Sequence, residues 1–181
     1  MFKTVLLISL ILTSCVANSS NKIDEDTYAV VEVFSVMPTF QNSAYEVSDT
    51  TEINAKFNRQ GIGEKIKHAW LVSLTDTTKC ELVAYNRTPL LKERVKISAV
   101  GGLSGYGSLI QIEFRFSDPS LWQKITADNV GQRLAVALNG VILCAPKVNM
   151  PIESGNCAVT VTPSQFDRYF PDLNVGRMSQ N

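Results

Sequence analysis

Apolar and polar residues alternate from Leu109 to Phe116. Ile110, Ile112, Phe114 and Phe116 fall on one face, and Gln111, Glu113 and Arg115 on the other. A period of two predicts a half-buried strand. The pattern then changes at Ser117-Asp118-Pro119. A side-chain oxygen here can cap free amides, and the proline falls in the first helical turn, where its missing donor costs little. Leu121, Trp122 and Ile125 follow at three- and four-residue spacings, which predicts a helix carrying all three on its apolar face. Gly131 suits the left-handed position just beyond such a helix.

Two β-prone runs come next, Leu134–Leu138 and Val141–Ala145, separated only by Asn139-Gly140. A type I′ turn requires positive φ at both central residues, and Asn-Gly meets that requirement. With this turn, Leu138 is expected opposite Val141 and Val136 opposite Leu143, with Leu134 completing a face of large side chains. Ala135, Ala137, Ile142 and Cys144 form the other face. Both faces are apolar, which argues for an internal hairpin whose smaller face lets another element approach closely.

The order strand, helix, hairpin is an α+β unit, and its residues resemble a known family. A helix ending in Val130-Gly131 leads into Leu134-Ala135-Val136-Ala137-Leu138-Asn139-Gly140. Ala145-Pro146 follows, and then Ile152 ahead of Gly155. This series is similar to the head of the large first periplasmic domain of SecD, an accessory subunit of bacterial protein export. The likeness is densest over 129–155 and extends over about 90–170. In place of the family's second glycine, Asn156-Cys157 follows Gly155. The resemblance implies a mainly antiparallel sheet with one or two helices packed on a face, a ferredoxin-like head. It also implies a meeting with polypeptide during export.

Elsewhere the signals are shorter. Tyr28–Val36 and Thr51–Phe57 read as strands, with an irregular stretch between them. Ala69–Leu74 and Cys80–Tyr85 read as a hairpin, and Arg94–Val100 as a further strand. Gly101–Gly107 is a glycine-rich loop. Cys157–Val161 is a strand, and Thr162-Pro163 opens a short helix with Phe166, Tyr169 and Phe170 on one side. The expected organisation is a signal peptide at 1–14, a tether at 15–27, a β-rich part at 28–87, the head-like domain at 88–170 and a tail at 171–181.

Met1–Cys15 has one lysine before an apolar run too short to span a bilayer. Its Leu12-Thr13-Ser14-Cys15 ending resembles the bacterial lipoprotein cleavage motif, which makes Cys15 the expected lipidation site. An ordinary signal peptide and an uncleaved anchor are the alternatives. Val16 follows, not aspartate, so the expected address is the outer membrane facing the periplasm, with a membrane partner through the lipid.

Composition narrows the function. Seventeen Lys and Arg balance seventeen Asp and Glu, and no basic run is present, so nucleic-acid binding is not expected. His68 is the single histidine, so every Ser-His or Cys-His arrangement would depend on it. With no Cys-x-x-Cys pair, no metal site, catalytic residue or cofactor is expected. Cys144 and Cys157 flank one loop and are the candidate disulfide. The alternatives are three separate buried thiols or a pairing that involves Cys80. The expected role is a non-catalytic envelope lipoprotein that binds a polypeptide or envelope partner. Lys147, Asn149, Met150, Glu153 and Tyr106 are candidate contacts, although all can equally be plain connectors. A structural or surface lipoprotein is the alternative, and an enzyme with an unrecognised site stands behind both.

Overall fold

A strand from near the start of the chain lies in the middle of the main sheet. The computed structural model describes residues 27–37, 44–59, 66–74, 76, 78–101 and 109–171. In chain order the elements are β1 (Tyr28–Ser35), β2 (Ala44–Glu46), α1 (Thr50–Arg59), β3 (Ile66–Val72), β4 (Lys79–Asn86), β5 (Leu91–Gly101) and β6 (Ile110–Arg115). They are followed by α2 (Pro119–Asp128), β7 (Leu134–Leu138), β8 (Val141–Cys144), β9 (Asn156–Val161) and α3 (Pro163–Tyr169). Six strands form one sheet in the order β8-β7-β1-β5-β6-β9, and three form a second in the order β2-β4-β3. Every pairing is antiparallel. The molecule is thus α+β, with β1 held between β5 and β7.

The two faces of the large sheet follow from the period of two. Val31, Val33, Val95, Ile97, Ile112, Phe114, Leu134, Val136, Leu138, Val159 and Val161 face one way and meet Trp122 and Ile125 of α2 and Phe166 of α3. Phe116 anchors this core, 4.8 Å from Trp122 and 5.5 Å from Phe114 between ring centroids. On the opposite face, Ala135, Ala137 and Ile142 pack with Phe34, Val83 and Tyr85. The second sheet is therefore the element that the small face of the hairpin admits. The Phe34 and Tyr85 rings lie 5.0 Å apart across that contact.

Helix ends form where local chemistry places them. Asp118 caps α2 by accepting from the amides of Ser120 and Leu121, each at 3.0 Å, with Pro119 in the first turn. Thr162 and Gln165 form a reciprocal capping box on α3. At the Asn-Gly turn, Asn139 has φ 48° and Gly140 φ 82°.

Four expectations need correcting. Residues 51–57 lie in α1, not in a strand. Glu52 favours the positive N-terminal end, and the polar residues of the segment suit a strand poorly. Part of the stretch expected to be irregular forms the short strand β2. Leu121 is 40% exposed, so α2 buries Trp122, Ile125 and Thr126 instead. Finally, Leu138 and Ala137 pair with Val141 and Ile142, but a bulge then sets Val136 opposite Cys144, not Leu143. The extra residue turns Cys144 from the small face to the main core.

Candidate functional site

A small apolar cavity of about 80 Å³ lies at one end of the main core. Its walls come from Trp122 and Thr126 of α2, Leu134 and Val136 of β7, Cys144 of β8 and Cys157 of β9. The loop after β8 forms the cover, with Pro146, Lys147, Val148, Asn149, Met150 and Ile152 all lining the space. The cover is fastened along its length. Val148 exchanges backbone hydrogen bonds with Gly131 and Gln132, both at 2.8 Å, and the Leu134 amide donates to the Pro146 carbonyl at 3.1 Å.

Thr126 joins the helix to the cover. Fully buried, it accepts from the Ile152 amide at 2.9 Å and donates back to helix carbonyls of α2. A buried hydroxyl with both capacities used holds the loop without the cost of an orphaned polar group. Trp122 differs. It is 3% exposed, yet its indole N–H has no hydrogen-bond partner. A buried donor left without an acceptor costs about 1–3 kcal/mol.

The two cysteines sit in this apolar wall. Desolvation pushes the Cys157 thiol up to about 12. Burial, then the neighbouring Cys157, raises the Cys144 thiol further, and the guanidinium of Arg133 only partly offsets this. Arg133 itself donates from Nε to the Ala145 carbonyl at 2.6 Å and makes a two-pronged contact with Glu81 of β4, one arm of it at 2.9 Å. Cys80 is remote in kind: it lies in the second sheet, where its thiol donates to the Tyr45 carbonyl at 3.6 Å. All three are free thiols, so the expected Cys144–Cys157 disulfide is not formed in this structure.

The candidate contacts divide. Lys147, Asn149 and Met150 line the cavity from exposed positions, Met150 being 69% exposed. Glu153 is exposed just beyond the cover. Tyr106 and Cys15 lie outside the described residues. His68 stands on β3, and its Nε2 lies 3.0 Å from the Asn54 side-chain oxygen, which also accepts from Trp70 at 2.8 Å. Since that oxygen can only accept, His68 Nε2 is the donor. Among the described residues, no group of three or more His, Cys, Asp or Glu could hold a metal, and no helix is long and apolar enough to cross a membrane. Sequence reasoning did not single out Trp122, Thr126 or Arg133 as site residues. Trp122 was legible only as a core residue, because its missing partner is a fact of three-dimensional packing.

The SecD protein translocase subunit of Acidaminococcus fermentans is 35% identical over 52 residues, 29% of this chain and 12% of that protein. The chain therefore spans a small fraction of that relative's length. A solved structure of SecDF, described as a membrane component that enhances protein export, matches with a TM-score of 0.42 and 20% identity, covering 72% of this chain and 54% of that one. A second, of SecDF in a super-membrane-facing form, matches with a TM-score of 0.35 and 13% identity, over 72% and 26%. The family model for the SecDF P1 head subdomain matches residues 72–166, which include the hairpin, α2, the cover loop and the cavity they enclose. That match spans more than half of the chain, which belongs to the SecDF P1 head subdomain family.

Proposed function

We propose that this protein is a non-catalytic binding module of the bacterial cell envelope, whose cavity takes an apolar side chain from a polypeptide. The observation that carries the reading is the apolar cavity under the cover loop, with Trp122 in its wall. A volume of about 80 Å³ leaves room for an aliphatic side chain. Met150 at the rim is flexible and polarisable, which suits a surface that meets many sequences. The family itself favours a polypeptide occupant, since its members named above are a protein translocase subunit and a component that enhances protein export. A lipidated Cys15 would tether the module to the outer membrane on its periplasmic side, with the polar stretch 16–27 as its leash.

Photo-crosslinking in intact cells tests the reading. A probe at Met150 should give adducts with polypeptides, with a second probe at Tyr106 testing the glycine-rich loop. A control at Val47, 40% exposed beside the other sheet, should give none. No adducts at Met150, or equal adducts at Val47, would overturn the assignment.

A further inference from the structure

β8 and β9 are the two ends of the six-stranded sheet, yet their Cα atoms come within 8 Å of each other. Each neighbour in the order β8-β7-β1-β5-β6-β9 runs antiparallel to the last. The two end strands therefore run antiparallel as well, and the end of β8 meets the beginning of β9. Those positions are Cys144 and Cys157. Both side chains belong to the main core, Cys144 because of the bulge and Cys157 through its place opposite Phe114, and both line the cavity. The seam between the end strands is thus flanked by two thiols at one level of the sheet. A disulfide needs Cα atoms within about 7 Å, and the strands that carry the two cysteines approach within 8 Å.

We propose that Cys144 and Cys157 form a reversible disulfide that staples the β8–β9 seam and thereby controls entry to the cavity. The reaction is thiol–disulfide exchange with a small-molecule or protein disulfide. One thiolate attacks the oxidant and displaces one thiol. The second thiolate then attacks the mixed disulfide, forming the Sγ–Sγ bond and releasing the other thiol. The two cysteines lose two protons and two electrons in all, and the oxidant's disulfide takes them up. The bond would join the two strands that carry the ends of the cover loop, adding a covalent tie to the hydrogen bonds that fasten the cover in the dithiol form. Exchange is slow at neutral pH, because the apolar wall holds both groups as thiols and only the thiolate reacts. Cys80, engaged with Tyr45 in the other sheet, stays out of the exchange.

The control of entry rests on the proposed peptide-binding role; the bond itself does not. Full-length protein is equilibrated with oxidised glutathione or with dithiothreitol, alkylated under denaturing conditions and mapped by mass spectrometry. The oxidised sample should contain the 144 and 157 peptides joined and two hydrogens lighter, with Cys80 alkylated. Cys144→Ser and Cys157→Ser should each lose that species, and Cys80→Ser should keep it. Full alkylation of all three positions under oxidant, or a disulfide involving Cys80, overturns the proposal. In the same samples, crosslinking from Met150 to an apolar extended peptide should fall at least tenfold on oxidation and return with reductant. Equal crosslinking in the two states overturns the control of entry. Absence of crosslinking in both overturns the peptide-binding reading and with it the control, while the mapped bond stands on its own.

Discussion

Gly155 closes the site's cover against the start of α2. Its φ is 68°, and a Cβ built there would lie 3.1 Å from Cγ of Pro119 and 3.3 Å from that residue's Cα. Gly140 has a similar φ of 82°, but a Cβ there meets nothing within 4 Å. Each Gly→Ala change forces an L side chain into the left-handed region, at about 1–2 kcal/mol. Gly155→Ala adds a contact with a rigid ring and backbone, so urea denaturation should find it the more destabilising of the two by about 1 kcal/mol or more. Equal losses would show that the Pro119 contact does not matter. At this scale, legibility followed locality. Asn139-Gly140 declares its turn because both residues tolerate positive φ. Gly155 was visible as a family feature, but its reason is a proline far away in sequence.

Among the elements, α2 and α3 were readable because their caps lie within three residues of the amides they serve. The α2 cap also predicts a response to acid. Hydrogen bonds from the Ser120 side chain and from the Leu121 and Ser120 amides hold the Asp118 carboxyl below its ordinary 3.8. A carboxyl depressed on folding adds stability that is fully present above its unfolded value and is lost as pH falls through the folded one. Asp118→Asn keeps an acceptor for the cap but cannot titrate. The wild-type protein should therefore lose part of its stability margin over this variant below about pH 4, while the gap is constant from pH 6 to 8. A gap that does not change with acid would exclude the cap as its source. Two other elements were misread for opposite reasons. Residues 51–57 were misread as a strand although the four-residue spacing of Ile53 and Phe57 fits a helix. In the β7–β8 hairpin the turn was right and the ladder failed one step later, since a bulge leaves no mark in a run as uniformly apolar as Val141–Cys144. That single inserted residue decides which core receives Cys144.

Across the whole molecule, one polar tie between the two sheets is Arg133. It reaches from the start of β7 to Glu81 on β4 and to the Ala145 carbonyl at the edge of the cover. The side chains are only 16% and 30% exposed, so solvent screens the pair less than it would a surface one. Arg133→Ala leaves a half-buried carboxylate facing apolar surface and should cost about 2 kcal/mol. Arg133→Lys should recover less than half, because an ammonium cannot match the two-pronged contact. Thermal unfolding of both variants, with Glu81→Gln as the third corner of a cycle, measures this. Additive losses would mean the two side chains do not interact. Neither partner was identifiable in sequence, for each is one charge among many until the second sheet packs on the first.

The place of β1 has a consequence for how the molecule comes into being. A chain emerging from its N-terminus presents Tyr28–Ser35 first, but the partners of that strand arrive at very different times. β5 supplies one edge early, whereas the other waits for Leu134–Leu138, most of the domain later. Closing so long a loop carries an entropic cost that local pairings avoid, and sheets built this way form slowly. In the interval Val31 and Val33, which end with no exposure at all, stand beside an unpaired edge. The segment destined to be the best enclosed is, during synthesis, an exposed apolar edge.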